Sequence, residues 1–497
     1  MKHRMRLLVT AAALVAALTL GLWQLWRTGA FLPDWAIFEK RDCAAFRLEG
    51  GRVTLPEGWR SPEELRVQDA LCLDLDGDGE DELALLGWRI GSYGQYRPFW
   101  VGKNDRRWGQ HIYLYELKPD GPRAVWISSE LDFPIASWFA DERGYLHLRS
   151  SDESESVWGW FGWGLELVEQ KEPGVLTLAA AGDVLIHRPI LEQGLRAGSF
   201  DFLFEHVRYL FAGADLCLLN QESILVSDSA LYGDYPRFGA PLSLAGAEKA
   251  AGVDAISCAN NHALDQGAAG LEATLSACGA LGMDVIGLVY GEDAAFPLIE
   301  LRGVRLALLG YTASTNGMPV PAGYRLSLLD DEARVRGELR AARAAADVLL
   351  VFAHWGTEYA PEPDEEQLFW AQVFTEEGAD LVFGAHPHVL QPLELRTRED
   401  GHETLLFFSL GNLVSAQQAP ACNLGGLARV TLKKCEDGVR ILDYTLSGLV
   451  THQERGLTTV WPLADYSDAL AARHSLSLDR AALEAALAAV SGGRGEE

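Results

Sequence analysis

From residue 175 onward, short apolar runs alternate with amphipathic stretches. Runs bounded by turn residues predict buried strands, and the stretches between them predict helices. The strands fall at 175–181, 214–219, 254–259, 284–287, 304–311, 347–353 and 379–383, and the helices at 200–211, 245–251, 267–281, 331–346 and 365–377. That alternation predicts a layered α/β domain. After His388 the pattern loses its helices, and runs at 405–410, 426–432 and 439–449 predict a second, antiparallel sheet. Residues 466–490 are rich in Ala and Leu at helical spacing, and 491–497 are polar. Before the α/β region, residues 31–171 carry short alternating runs such as 111–115, rich in Trp, Tyr and Gly, which predict a β-rich domain.

The first 30 residues have another pattern. Lys2, Arg4 and Arg6 precede an uncharged run at 7–26, about 20 residues and so of bilayer-spanning length. Positive charge ahead of the run predicts a cytoplasmic N-terminus with the bulk of the chain outside the cell, anchored to the cell membrane by a single pass. A cleaved signal peptide is the rival reading; its apolar core would be shorter. The segments are then an anchor at 1–30, a β-rich domain at 31–171, an α/β domain at 172–455 and a helical tail at 456–497, with Lys171, Glu172, Pro173 and Gly174 as the linker.

Composition narrows the partners. A net charge of −28 argues against nucleic acid and against a basic membrane-surface patch. The seven scattered cysteines contain no Cys-x-x-Cys and give no disulfide framework.

The chemistry gathers where the predicted strands end. Asp183 follows the first, Asn220 and Glu222 the second, and Asn260, Asn261 and His262 the third; His354 ends a later strand, and His386 and His388 follow another. In open α/β sheets, ligands bind at the carboxyl ends of the strands. Carboxylate, amide oxygen and imidazole together suit Mn²⁺, Fe or Zn²⁺, one or two ions. A pair of ions about 3.5–4 Å apart can clamp both oxygens of a displacement at phosphorus. His262 is placed to act as an acid, with Asp265 three residues on to orient it. Taken singly, each has a plainer reading: Asp183 as a helix cap, Asn260 and Asn261 as a turn, His354 as packing.

A separate acidic loop carries Asp74, Asp76, Asp78, Glu80 and Glu82, with Gly79 among them. Its spacing resembles oxygen-ligand calcium loops, although the glutamate that closes an EF-hand is missing and Leu85 stands there. A solvated acidic turn is the plainer alternative. The aromatic group Trp88, Tyr93, Tyr96, Phe99, Trp100 and Trp108 is read as core of the β-rich domain rather than as a carbohydrate or peptide platform.

Six ordered segments, 181–183, 220–222, 259–267, 354–359, 384–389 and 409–412, resemble the signature set of the CapA family, the poly-γ-glutamate capsule biosynthesis proteins of the metallophosphatase superfamily. The resemblance spans residues 175–450. It implies a calcineurin-like fold of two sheets flanked by helices, an outward-facing membrane protein, and work on poly-γ-glutamate beside capsule synthase subunits. It places metal positions on Asp183, Glu222, Asn261, His354, His386 and His388, and substrate or supporting contacts on Asn220, Asn260, Glu358 and Asn412. Three departures accompany it. Gln221 stands where the family usually has Leu. The nearest histidine after Asp183 is His187, four residues on, which leaves room for a single-metal centre. Residues 31–170 lie outside the family pattern. The functions that follow are a metal-dependent phosphoesterase-like hydrolase, a metal-holding scaffold or export subunit, or a hydrolase of cell-wall glycan phosphate or γ-glutamyl bonds.

Overall fold

The computed structural model describes residues 32–491 except 77, 93–106, 119–120, 132, 142–143, 152–153, 163, 212, 292–295 and 436–437. The expected anchor over 1–30 lies outside them; among the described residues no helix is long and apolar enough to cross a membrane. The chain divides into two compact units, Met1–Pro173 and Gly174–Glu497.

In the first unit, Arg66–Leu73, Glu82–Ile90, Trp108–Glu116 and Arg123–Ile127 form one antiparallel sheet, and Ile135–Ala140, Leu146–Ser150, Glu155–Phe161 and Gly164–Lys171 form another. Leu83 and Leu85 face one core, and Ala84 and Leu86 the other. A strand covered on both sides needs apolar residues at every position, and Glu82–Ile90 has nearly that. Trp88 is buried and Trp108 half-buried; Tyr93, Tyr96, Phe99 and Trp100 lie outside the described residues.

The second unit is a two-sheet sandwich with helices on its outer faces. Its strands are β1 (Val175–Val184), β2 (Leu216–Asn220), β3 (Ala255–Ser257), β4 (Asp284–Ile286), β5 (Leu298–Leu301), β6 (Val304–Thr312), β7 (Val348–His354), β8 (Leu381–Ala385), β9 (Leu390–Thr397), β10 (Glu403–Leu410), β11 (Asn412–Val414), β12 (Leu424–Cys435), β13 (Gly438–Glu454) and β14 (Leu457–Pro462). The main helices are α1 (Arg188–Ala197), α2 (Ser243–Ala251), α3 (Gly267–Ala280), α4 (Glu332–Ala345) and α5 (Glu365–Glu376). Sheet one runs β4-β3-β2-β1-β12-β13-β14, with β11 also beside β1; sheet two runs β5-β6-β7-β8-β10-β9. Strands β1 to β4 pair in parallel, as do β6, β7, β8 and β10.

Side-chain alternation builds the layers. Leu176, Leu178 and Ala180 of β1 meet Leu350 and Phe352 of β7 and Leu381 and Phe383 of β8 between the sheets. Their neighbours Ala179 and Ala181 turn outward to the α1–α3 side, and Leu349, Val351 and Val382 to the α4–α5 side. Two helix starts are fixed by side-chain caps. The Asp331 carboxylate accepts from the Arg334 N–H, and Asp364 and Gln367 form a reciprocal capping box.

Three expectations are corrected. The strands after His388 make no sheet of their own. β10 extends sheet two in parallel beside β8, while β12–β14 extend sheet one antiparallel to β1. Gly411 is the crossing: its carbonyl accepts from the Asp183 N–H (2.9 Å), so the chain steps from one sheet to the other. The single helix at 200–211 is instead a 3₁₀ turn, Asp201–Leu203, followed by the short helix Arg208–Phe211. Phe200, Phe202, Leu203, Phe204, Val207, Leu210 and Phe211 all pack on one core, more apolar positions than one helical stripe can present. Finally, the segment after 456 is not helical throughout. β14 is the outer strand of sheet one, and Tyr466, Ala471 and Leu483 pack beneath it in a small core.

Candidate metal centre

Parallel strands put their carboxyl ends on one edge, and in the sandwich the edges of both sheets meet there. Asp183 ends β1, and Asn220 and Glu222 leave β2. Asn260, Asn261 and His262 follow β3, His354 ends β7, and His386 and His388 follow β8. A side chain at Gly384 would run into the Phe408 carbonyl, so β8 and β10 close up only around a glycine. The chain then turns sharply: His386 and His388 both take left-handed φ, 96° and 60°. For residues with a β-carbon this costs about 1–3 kcal/mol each, a strain typical of functional sites.

The structure brings five of the six expected donors together, and the sixth, Asn261, follows β3 with its Oδ1 buried. Glu222, His354 and His386 form one group, and Asp183, Glu222 and His388 another, each with its ligand atoms within 4.8 Å of one another. Glu222 belongs to both, so its carboxylate lies between the two groups. Nε2 of His354 is 3.3 Å from Glu222 Oε1, and Nδ1 of His388 is 3.8 Å from Oε2. Asn220 Nδ2 donates to Asp183 Oδ1 (2.7 Å), and the His386 N–H donates to Oδ2 (3.3 Å). Asn260 Nδ2 donates to the Gln221 carbonyl (2.9 Å), and Asn260 Oδ1 accepts from the His262 N–H (3.1 Å), locking the loop after β3. Asn412 Nδ2 donates to Gln417 Oε1 and the Cys422 carbonyl (both 2.9 Å), which leaves its Oδ1 facing His388 Nδ1 at 3.0 Å. His388 Nδ1 is also 3.0 Å from Asp183 Oδ2; with acceptors on both sides, that nitrogen carries a proton.

Glu222 Oε1 and Oε2, Asn261 Oδ1, His354 Nε2 and His386 Nδ1 are buried without a hydrogen-bond partner. Buried polar atoms are almost always paired. Acceptor atoms left bare, in groups this tight, fit a divalent cation, with the mixed oxygen and nitrogen set that Mn²⁺, Fe or Zn²⁺ accepts. Burial pushes the His354 and His386 imidazoles down to about 3, so both are neutral, as ligands must be. Burial and the Asp183 charge push Glu222 up to about 8. Burial opposes charge on His388, but Glu222 and Asp183 outweigh it and hold the imidazole up at about 9. Burial works against Asp183 ionising too, and the His388 hydrogen bond more than offsets it, so its carboxyl stays below the usual range.

Beside the donors stands a dyad. His262 Nδ1 is 2.8 Å from Asp265 Oδ2, which also accepts the Phe238 N–H (2.7 Å). Burial lowers the affinity of His262 for its proton, and the bond to Asp265 with the Glu222 charge raises it further, for a net upward shift. The Nδ1 bond leaves Nε2 as the nitrogen that can hand over a proton. Glu358 is exposed near the donor cluster, where its charge is felt at Glu222, His354, His386 and His388.

Sequence reading named His187 but did not single out the rest of the surrounding wall. The Phe238 ring meets His262 and His187 edge-on, at 4.8 and 5.3 Å between centroids. The Tyr359 ring lies 6.1 Å from that of His388, and its hydroxyl accepts from Gln417 Nε2 at 3.4 Å. His187 Nδ1 accepts the Ala416 N–H (3.2 Å). These residues follow loops and turns of no periodic pattern, and only the adjacency of Tyr359 to Glu358 was available as a signal.

The acidic loop of the first unit differs. Asp74, Asp76 and Asp78 lie within 4.8 Å of one another. Glu82 turns away to accept the Leu75 N–H (2.9 Å), and Glu80 lies 3.5 Å from Lys118.

The model of the family described as bacterial capsule synthesis protein PGA_cap matches residues 177–417. The α/β unit belongs to the CapA family. The PGA biosynthesis protein CapA of Bacillus subtilis is 28% identical over 270 residues, 52% of this chain and 68% of that protein. The capsule biosynthesis protein CapA of Bacillus anthracis is 28% identical over 289 residues, 56% of this chain and 68% of its own. Among solved structures, the calcineurin-like phosphoesterase YfkN of Bacillus subtilis is similar at TM-score 0.34 and 13% identity, over 63% of this chain and 99% of that one.

Proposed function

We propose that this CapA-family chain is a membrane-anchored, extracytoplasmic, metal-dependent hydrolase of phosphoesterase type that serves the synthesis or anchoring of a poly-γ-glutamate capsule. The observation that carries the hydrolase reading is the set of bare buried donors on Glu222, Asn261, His354 and His386 beside the His262–Asp265 dyad. The names of its relatives support the capsule role, and the charged apolar leader supports the anchor.

Asp183, Glu222, Asn261, His354, His386 and His388 would hold the metal, with Glu222 and His388 giving up a proton as it binds. Bound there, a divalent ion supplies Lewis-acid polarisation of a phosphoryl or acyl oxygen. The chain's own residues do the rest. Asn220 holds Asp183, and Asn412 holds His388, in fixed orientation. Asp265 keeps the proton of His262 on Nδ1 in the neutral ring, and the charged ring delivers the Nε2 proton to the leaving oxygen. Phe238 and Tyr359 wall the site on opposite sets of imidazoles.

The test is metal content and hydrolysis of bis-p-nitrophenyl phosphate and p-nitrophenyl phosphate by the full chain, beside His386→Ala. Bound transition metal, lost together with turnover in the variant, is expected. A chain that binds no transition metal overturns the reading. The second reading, a metal-holding subunit without catalysis, draws on relatives named for biosynthesis rather than hydrolysis. Metal without turnover, and full capsule function in Asp265→Asn, would select it.

A further inference from the structure

Away from the strand ends, the second unit has an open seam. β4 is the last strand of sheet one. Its hydrogen bonds to β3 use alternate residues: Asp284 N–H donates to the Asp254 carbonyl and Ile286 C=O accepts from Cys258, both at 2.9 Å. The parallel register of Ile256 beside Val285 therefore turns the N–H and C=O of Val285 away from the sheet. They face a groove of about 760 Å³. One wall is a single stripe of α3, Glu272, Leu275, Ser276 and Gly279, at helical spacing; Phe296 lines it as well, and the tilted pair Tyr290 and Tyr324 (4.9 Å between ring centroids) bounds it too.

Gly279 sharpens the picture. Glycine within a helix costs about 0.5–1 kcal/mol relative to alanine. Here it has no positive φ to accommodate, and a β-carbon would meet nothing within 4 Å. No packing constraint demands it, and what its small size does is keep the groove wide. Among the described residues, the groove's charged side chains are Glu272 and Asp284, both acidic. Burial and the nearby Asp254 push the Asp284 carboxyl upward, against the opposing charge of Lys249.

We propose that this seam is a docking site for an extended peptide segment of a partner protein, one that adds a strand beside β4, bonds the free backbone of Val285, seats an apolar side chain against Leu275 and Phe296, and sets a lysine or arginine against Glu272 and Asp284. An unpaired sheet edge beside side-chain pockets is the physical basis of strand addition. The exposed apolar surface of Tyr290 (56%) borders the same seam and would be covered by such a partner.

The probe is the capped peptide Lys-Val-Leu-Val-Lys, titrated into the full chain with its metal, beside the acidic counterpart Glu-Val-Leu-Val-Glu. Saturable binding of the basic peptide is expected, about tenfold tighter than the acidic one, since the two groove carboxylates attract the lysines of one and repel the glutamates of the other. The Val285 amide should gain protection from hydrogen exchange. Gly279→Leu, whose β-carbon meets nothing within 4 Å, and Glu272→Lys, on an exposed position, should each abolish or weaken binding while metal content and thermal stability stay as in the parent. No binding, equal binding of the acidic peptide, or indifference to Gly279→Leu overturns the proposal. So does concentration-dependent dimerisation blocked by Gly279→Leu, which would make a second copy of this chain the occupant.

Discussion

The two donor clusters of this protein teach different lessons. At the strand ends of the second unit, the donors come from segments far apart in sequence, and where they meet, Glu222, Asn261, His354 and His386 keep buried atoms without a partner. In the acidic loop of the first unit, the donors are neighbours in sequence, and each already accepts a backbone N–H. Asp74 accepts the N–H groups of Asp78 (3.1 Å) and Gly79 (3.0 Å), Asp76 accepts that of Asp78 (3.2 Å), and Asp78 that of Glu80 (2.8 Å). The loop satisfies itself with turns of the kind short acidic side chains make in any case. The strand-end cluster cannot, because its neighbours are also acceptors or buried imidazoles. Whether a cluster awaits a cation thus depends less on how many carboxylates it holds than on how many are left unpaired.

The largest expected effect breaks the buried cluster. His386→Ala removes a donor from the Glu222 group and should cost more than about 100-fold in metal affinity and in hydrolysis, beyond what supporting residues cost. Metal analysis and turnover on the same sample check it. A control separates bareness from metal binding. Glu248 on α2 is also fully buried with both oxygens unpaired, but it joins none of the metal-capable groups among the described residues. Burial pushes its carboxyl up to about 8. A carboxyl raised in the folded state stabilises nothing by ionising. The folded chain keeps a proton that the unfolded chain releases above its ordinary pKa, so stability falls as pH rises from about 4.5 toward 8. Glu248→Met should therefore raise stability on the order of 3 kcal/mol at pH 8 and much less at pH 5, with metal content unchanged. Thermal melts at both pH values test this.

Smaller again is Asp265→Asn. It should lower turnover about 10–100-fold with metal retained, and shift the pH profile, because the carboxylate acts through His262. Turnover unchanged across pH would remove the dyad from the chemistry. The smallest effect concerns the acidic loop. If three self-bonded carboxylates hold calcium, they hold it weakly; in 10 mM calcium the first unit should gain about 1 kcal/mol, and Asp76→Ala should abolish the gain. Melts with and without calcium decide, and an unchanged parent would make the loop a solvated turn.

Much of this was legible in the chain. Strand positions in the α/β region were readable because buried parallel strands must be apolar throughout, and the donors were readable because each stands directly after such a run. Elements failed where a pattern had more than one packing solution. The apolar stretch at 200–211 has too many buried positions for one helical face, and the strands after His388 carry no mark of which sheet they join. Phe238 and Tyr359 were missed because loop residues facing a site show no period.

The sequence by itself determined the ligand types, their order and the strand each one follows, since those are local properties of composition and hydropathy. Only the tertiary structure decided that Glu222 lies between two donor groups, that Asn412 crosses to His388, that the Glu222 oxygens are bare while those of Asp74 are not, and that β4 is left as an open edge. Each of these is a statement about which atoms find partners across long sequence separation. Pairing of that kind is set by how the two sheets close on each other, which no local pattern records.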